Sequence, residues 1–248
     1  MKNIWTIAKR EYKLYFSSPI AYAVAFLILS IISLIFVLNL WAILSDPYSA
    51  YNTPPNAQMV TSPIAFLLVL STPALTMRLF ADEIRMGTME LLLTAPVRDH
   101  ELAIGKWLGS FLFVLTLLAV SLVFPFILNL MIDPGIDQVL MLSGYLGVIL
   151  LASAFLGLGV GISSLFSNQI AAFFTTIVLL VIMWWLIGAP ANFMSSGGDV
   201  FRYLDMSGHF YNNLNQGLIT PGDIVYYLSV TALGLFVATT AIEIRRWR

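Results

Sequence analysis

Cysteine is absent from all 248 residues, histidine occurs twice, and charged side chains make up only 10% of the chain. The first absence excludes a disulfide scaffold, thiolate metal sites and a cysteine nucleophile. The scarcity of charge says more. Soluble domains carry roughly 25% charged and about 45–50% apolar residues, whereas 59% of this chain is hydrophobic. A soluble fold of this length cannot hide that much apolar surface. A net charge of −1 offers nothing to a polyanion, so nucleic acid is not among the expected partners. What remains is a polytopic membrane protein.

Six apolar stretches approach or exceed the about 20 helical residues that cross a bilayer core: 20–44, 63–81, 107–132, 140–166, 170–187 and 224–242. The runs are continuous rather than alternating, which argues against a barrel. In lipid, backbone groups must be satisfied within the chain, and that leaves helices. The expected fold is all-α, with residues 1–248 a single transmembrane domain. The first stretch is too long for a signal peptide's apolar core, so it is read as a retained span. With both termini cytoplasmic, eleven of the twelve Lys and Arg fall inside: Lys2, Lys9, Arg10, Lys13, Arg78, Arg85, Arg98, Lys106, Arg245, Arg246 and Arg248. Only Arg202 falls outside, whereas Asp46, Asp133, Asp137, Asp199, Asp205 and Asp223 face out. The basic residues set the orientation.

No Asp, Glu, Lys or His sits in the middle of any of these stretches, so proton relays and buried chemistry have little to work with. His100 and His209 lie on opposite sides of the membrane and cannot share a haem or zinc. Gly105-Lys106 resembles the end of a phosphate-binding loop, but His100 replaces its first glycine and Trp107 its Ser/Thr. Energy for any driven work must arrive from a partner.

Three features stand out, the first two on the cytoplasmic side. Residues 2–16 form an amphipathic elbow helix within segment 1–19, with Lys2, Thr6, Lys9 and Lys13 on one face. Ile4, Trp5, Ala8, Tyr12, Tyr15 and Phe16 lie on the other, toward the acyl boundary. Ser17-Ser18-Pro19 then turns the chain into the first span. The connection 82–106 holds a short helix between Gly87 and Pro96, with Thr88 as N-cap. Val97 to His100 follow as a polar turn. Met89, Leu92 and Leu93 make an apolar strip, suited to a partner's groove or to packing on the elbow helix or lipid. The third feature is in the fourth span, where Ser153, Gly157 and Gly161 repeat at four-residue spacing. That spacing serves close packing within the subunit, or a pore or dimer face.

These residues resemble the permease subunits of type-2 ABC exporters. The resemblance is carried by Pro73 through Pro96, above all Glu83-x-x-x-Gly87-Thr88-x-Glu90, with Gly105-Lys106 and the stretch from Gly157 to Ile170. More narrowly the chain is similar to the gliding-motility-associated permease branch, through Ser18-Pro-Ile-Ala-Tyr22, Tyr203 to Phe210 and Asp223 to Leu228. The resemblance implies a half-transporter in the plasma (inner) membrane of a prokaryote, pairing with a second permease and with cytoplasmic P-loop ATPases. It implies no cofactor on this chain, with ATP and magnesium held by the ATPase. It makes 87–96 the coupling helix, with Glu83, Gly87, Thr88, Glu90, Leu91, Leu92, Thr94 and Pro96 as coupling residues. Glu83 would join elbow helix, second span and coupling segment. The substrate class it implies is hydrophobic or lipid-like.

Residues 188–222 form a long outer segment, loop-like at Gly188-Ala-Pro190 and Ser195 to Gly198. Its rings at Phe201, Tyr203, Phe210 and Tyr211 suit the headgroup level. It reads as an interfacial loop or, as the resemblance implies, as short helices that lid the outer end of the pathway, and it leaves room for an auxiliary extracytoplasmic protein. Two rival functions stand beside export: a secondary transporter, and a membrane scaffold that recruits an ATPase for gliding or envelope remodelling.

Overall fold

The computed structural model describes residues 2–45, 55–94, 96–194 and 197–246. Asp46, Ala95, Ser195, Ser196 and Arg248 lie outside these, as do the side chains of Leu91, Leu92 and Leu93. Every regular element described is helical, and six helices are long and apolar enough to span a membrane. They are span one, Pro19–Ser45; span two, Gln58–Arg85; span three, Asp99–Met131; span four, Gln138–Leu165; span five, Gln169–Ala191; and span six, Pro221–Arg246. The elbow helix is Lys2–Tyr15. Span three begins well before residue 107, the expected start, because Arg98 is extended and its backbone N–H donates to the Glu101 carboxylate at 3.2 Å. The polar turn expected to last to His100 therefore ends at Arg98, and Lys106 becomes part of a helical rod.

Span four is the spine, buried along almost its whole length from Ser143 to Ser164. Apolar burial does not drive helices together in lipid, so small residues that admit close approach carry the packing. Ser153, Gly157 and Gly161 lie against span six. A Cβ added at Gly157 would stand 3.0 Å from the Thr231 carbonyl oxygen, and one at Gly161 2.7 Å from that of Gly234. The Ser153 and Thr231 hydroxyls are hydrogen-bonded at 2.9 Å. Gly159 faces the other way, with no room between it and Thr76 of span two.

Span two is interrupted. Pro63 and Pro73 lie inside Gln58–Thr76, and helix resumes only at Ala81–Arg85. A proline removes a donor and crowds the preceding turn, and the backbone groups freed at the break are met from span four. The Ser163 hydroxyl accepts from the N–H of Phe80 (3.1 Å) and of Ala81 (3.3 Å) and donates to the Met77 carbonyl at 3.2 Å.

The outer segment is folded into short helices, including Ala189–Asn192, Gly198–Leu204 and His209–Asn213. It covers the outer ends of spans two and four: Asn215 accepts from the Thr61 hydroxyl at 2.6 Å and donates to that of Ser62 at 3.0 Å. Phe210 is fully buried against Trp184 and Gly147 instead of presenting its ring outward as expected, because the segment folds inward over span four. Tyr203 is the exposed ring. His209 lies between the Asp223 carboxylate (2.6 Å) and the Tyr203 carbonyl (2.8 Å), which ties the segment to the start of span six.

Candidate functional site

The elbow helix does not simply float on lipid. Its buried positions are Ala8, Glu11 and Tyr15, spaced three and four apart, and they face span three. Gly105 and Gly109 form the seat: a Cβ at Gly105 would come within 2.7 Å of Ile7 Cβ, and one at Gly109 within 2.5 Å of Glu11 Cβ. Tyr15 stacks on Phe113 and donates its hydroxyl hydrogen to the Leu75 carbonyl of span two at 2.8 Å. Trp5 and Phe16, assigned to the same apolar face, remain exposed.

This seating carries an acid into the interior. Lys106, 1% exposed, donates to Glu11 at 3.0 Å and to Glu83 at 2.8 Å. Arg10 reaches Glu11 at 2.8 Å and Glu83 at 3.5 Å from the solvent side. The Lys106 ammonium also lies 5.2 Å from the centre of the Phe80 ring, beside the break in span two. Two acids and two bases from the elbow helix, span two and span three thus meet at one point. Glu83 Oε2 is buried there without a hydrogen-bond partner among the described residues, a deficit of about 1–3 kcal/mol.

For Glu11, burial pushes the pKa up, but Lys106 and Arg10 outweigh it and hold the carboxyl below its ordinary 4.5. A depressed acid contributes stability that is complete above its unfolded value and is lost as pH falls through the folded one. Thermal midpoints of the detergent-solubilised chain should therefore fall as pH drops through and below the ordinary carboxylate range, where the Glu11 contribution is lost. In Glu11→Gln that acid-side slope should flatten, and an unchanged slope would remove Glu11 from the account.

The segment 87–96, expected from the resemblance to be the coupling helix, hangs directly from this cluster. Gly87, at φ +70°, makes the turn that leads into helix Met89–Thr94, a conformation costly for any side chain with a Cβ. The Thr88 hydroxyl donates to the Glu83 carbonyl at 3.3 Å, so it ties the segment back to span two instead of acting only as a cap. Met89 is buried in the chain's own core and is not part of a free apolar strip. Glu90, Thr94 and Pro96 are exposed. Beside Met89 and Glu90 lies a cleft of about 420 Å³, walled by Ile84, Leu165, Ile244 and Arg245 from the ends of spans two, four and six. Arg246 pairs with Asp99 at 2.6 Å, which fixes the end of span six to the start of span three. Asp82 is bonded to Gln169 at the start of span five.

Sequence reasoning had missed Lys106, Glu11, Gly105 and Gly109 as site residues. The available signal was the spacing Ala8–Glu11–Tyr15, which places the elbow's one acid in the middle of its buried face.

Such an arrangement defines a class: a polytopic helical membrane subunit with a charged, short-helix surface at one end of its bundle. Residues 37–243 match the family model described as ABC-2 family transporter protein, and the chain belongs to that family. Among curated proteins, none matches the chain in sequence. Family membership makes the chain the transmembrane component of a transporter and implies association with an ABC ATPase subunit.

Proposed function

We propose that this chain is the permease half of an ATP-driven exporter in the plasma (inner) membrane, of the gliding-motility-associated branch. In this reading both termini are cytoplasmic, and a hydrophobic or lipid-like substrate is moved outward. ATP and magnesium belong to the separate ATPase, which seats the helix Met89–Thr94 in its cleft. The carrying observation is the junction of elbow helix, span two and span three at Lys106, with the coupling segment attached through Thr88 and Glu83. Displacement of that segment is felt at once by all three.

A second permease fits the lipid-facing surface. Spans one and five are the least buried, and on span five Ile170, Phe174 and Val178, at four-residue spacing, are more than half exposed. Span two of one copy moving against span five of the other would open a path with apolar walls.

The test is the pair Glu90→Ala and Leu92→Ala, measured by co-purification of the ATPase and by ATP-dependent transport. Association or coupling should fall about tenfold, equivalent to ~1.4 kcal/mol. Unchanged co-purification together with unchanged transport would sink the docking assignment.

A further inference from the structure

Arg78 is left over when the charges at the elbow end of the bundle are paired. Around the pocket beneath the elbow turn stand three carboxylates, Glu11, Asp82 and Glu83. Arg10 and Lys106 neutralise the two glutamates, and Arg85 lies 3.7 Å from Asp82. No carboxylate of the described residues lies within ion-pair distance of Arg78, whose guanidinium donates to the Ser18 hydroxyl instead. It is partly buried, and a cation held away from bulk water without a counterion attracts an anion.

The cavity beside it measures about 450 Å³. Its floor is apolar, made by the buried side chains of Leu75 and Leu79. Leu14 and Met86, both more than half exposed, flank the mouth, and Ser17 and Ser18 add hydroxyls on the elbow side. The depth is fixed by the fold. Ser17 and Ser18 form the turn between the elbow helix and Pro19, where span one enters the membrane, so the cavity opens at the level of phospholipid headgroups. A free inorganic anion would have no use for the apolar floor and mouth. A molecule with one phosphodiester and a greasy continuation would use every wall.

We propose that this cavity binds an anionic phospholipid of the leaflet on the elbow side, with Arg78 holding the phosphodiester. Arginine is suited to the role because its planar fork gives two parallel bonds to phosphate oxygens. Ser17 and Ser18 receive the glycerol and headgroup oxygens, and the first methylenes of the acyl chains lie on Leu75 and Leu79. The single surplus positive charge favours a headgroup of net charge −1 over a zwitterion. The cavity shares Glu83 and Lys106 with the junction but does not include Met89 or Glu90, and it does not depend on which substrate is exported. A lipid seated there clamps the elbow turn to span two.

Native mass spectrometry of the full chain in detergent, titrated with phosphatidylglycerol or phosphatidylcholine, tests this directly. Wild type should bind phosphatidylglycerol in preference to phosphatidylcholine, and Arg78→Gln should lower that affinity about tenfold. Ser17→Trp, at an exposed position on the mouth, should exclude the lipid while leaving Arg78 in place. Lys13→Gln, on the outer basic face of the elbow helix, should bind as wild type does. Monodisperse elution of each variant on size exclusion establishes that it is folded. Equal binding of the two lipids by wild type would overturn the proposal, as would undiminished phosphatidylglycerol binding by folded Arg78→Gln. Displacement by inorganic phosphate as effective as displacement by phosphatidylglycerol would make the cavity a phosphate site and overturn it also.

Discussion

Replacing Lys106 with methionine should destabilise the purified chain by about 3–5 kcal/mol, because it strands two acids that the fold has taken out of water. Lys106 is 1% exposed, and both Glu11 and Glu83 depend on its ammonium. Arg10 cannot replace it: half of its side chain is in solvent, and it stands 3.5 Å from Glu83. The control is the triple variant Lys106→Met, Glu11→Gln, Glu83→Gln. Removing a whole buried ion cluster is often neutral or stabilising, whereas removing one member is not. Thermal melts in detergent should therefore show a deep loss for the single variant and recovery of most of it in the triple. If the single variant melts like wild type, the cluster is not a structural junction. Comparison of ATP-driven activity then becomes informative, since a triple variant that is stable but uncoupled would assign the charges to transmission.

The second large effect is expected at Gly234. A Cβ added there would lie 2.3 Å from the carbonyl carbon and oxygen of Gly157 and 2.6 Å from the Leu158 nitrogen, all backbone atoms. A flexible side chain can swing aside, but a backbone inside a helix cannot. Overpacking usually costs about 1–3 kcal/mol, and Gly234→Ala should reach or exceed the upper end, because spans four and six must part along their whole contact. The Ser153–Thr231 bond would be lost with them. The readout is thermal stability, with Gly222→Ala as the control. A Cβ at Gly222 would meet no atom closer than 3.7 Å, so that variant should melt close to wild type.

Most of the architecture was legible because lipid makes it so. A run of apolar residues long enough to cross a bilayer leaves few alternatives to a spanning helix. The stripe Ser153, Gly157, Gly161 was legible for the same kind of reason, since its period is that of a helix face. Its complement on span six, Thr231, Gly234 and Ala238, carries the same signal in weaker form. The ion cluster was harder to read. Glu11 and Lys106 are 95 positions apart, and each looks ordinary in its own neighbourhood, one on a basic helix and one at the edge of a span. Starting the third span at Trp107 placed Lys106 in a polar connection. Only the Arg98–Glu101 cap shows that the helix had already run two turns by then. Met89 stayed open between a partner and packing within the chain, because a helical strip has the same spacing whether it faces a partner or its own core. The burial of Phe210 had no local signal, since it depends on the outer segment folding back over Gly147.

The Ser163 hydroxyl pins the interrupted part of span two onto span four. Span two is consequently not a push-rod from the coupling helix to the far side. It is jointed at Met77–Phe80, and its lower arm, Ala81–Arg85, is fastened to a neighbour. In the proposed coupling, a thrust applied at Met89–Thr94 would reach span four through Ser163 as well as span two. Spans four and six touch through glycine backbones, so they turn as one block. The machine suggested by this joint is a crank, in which half of the bundle rotates against the outer arm of span two.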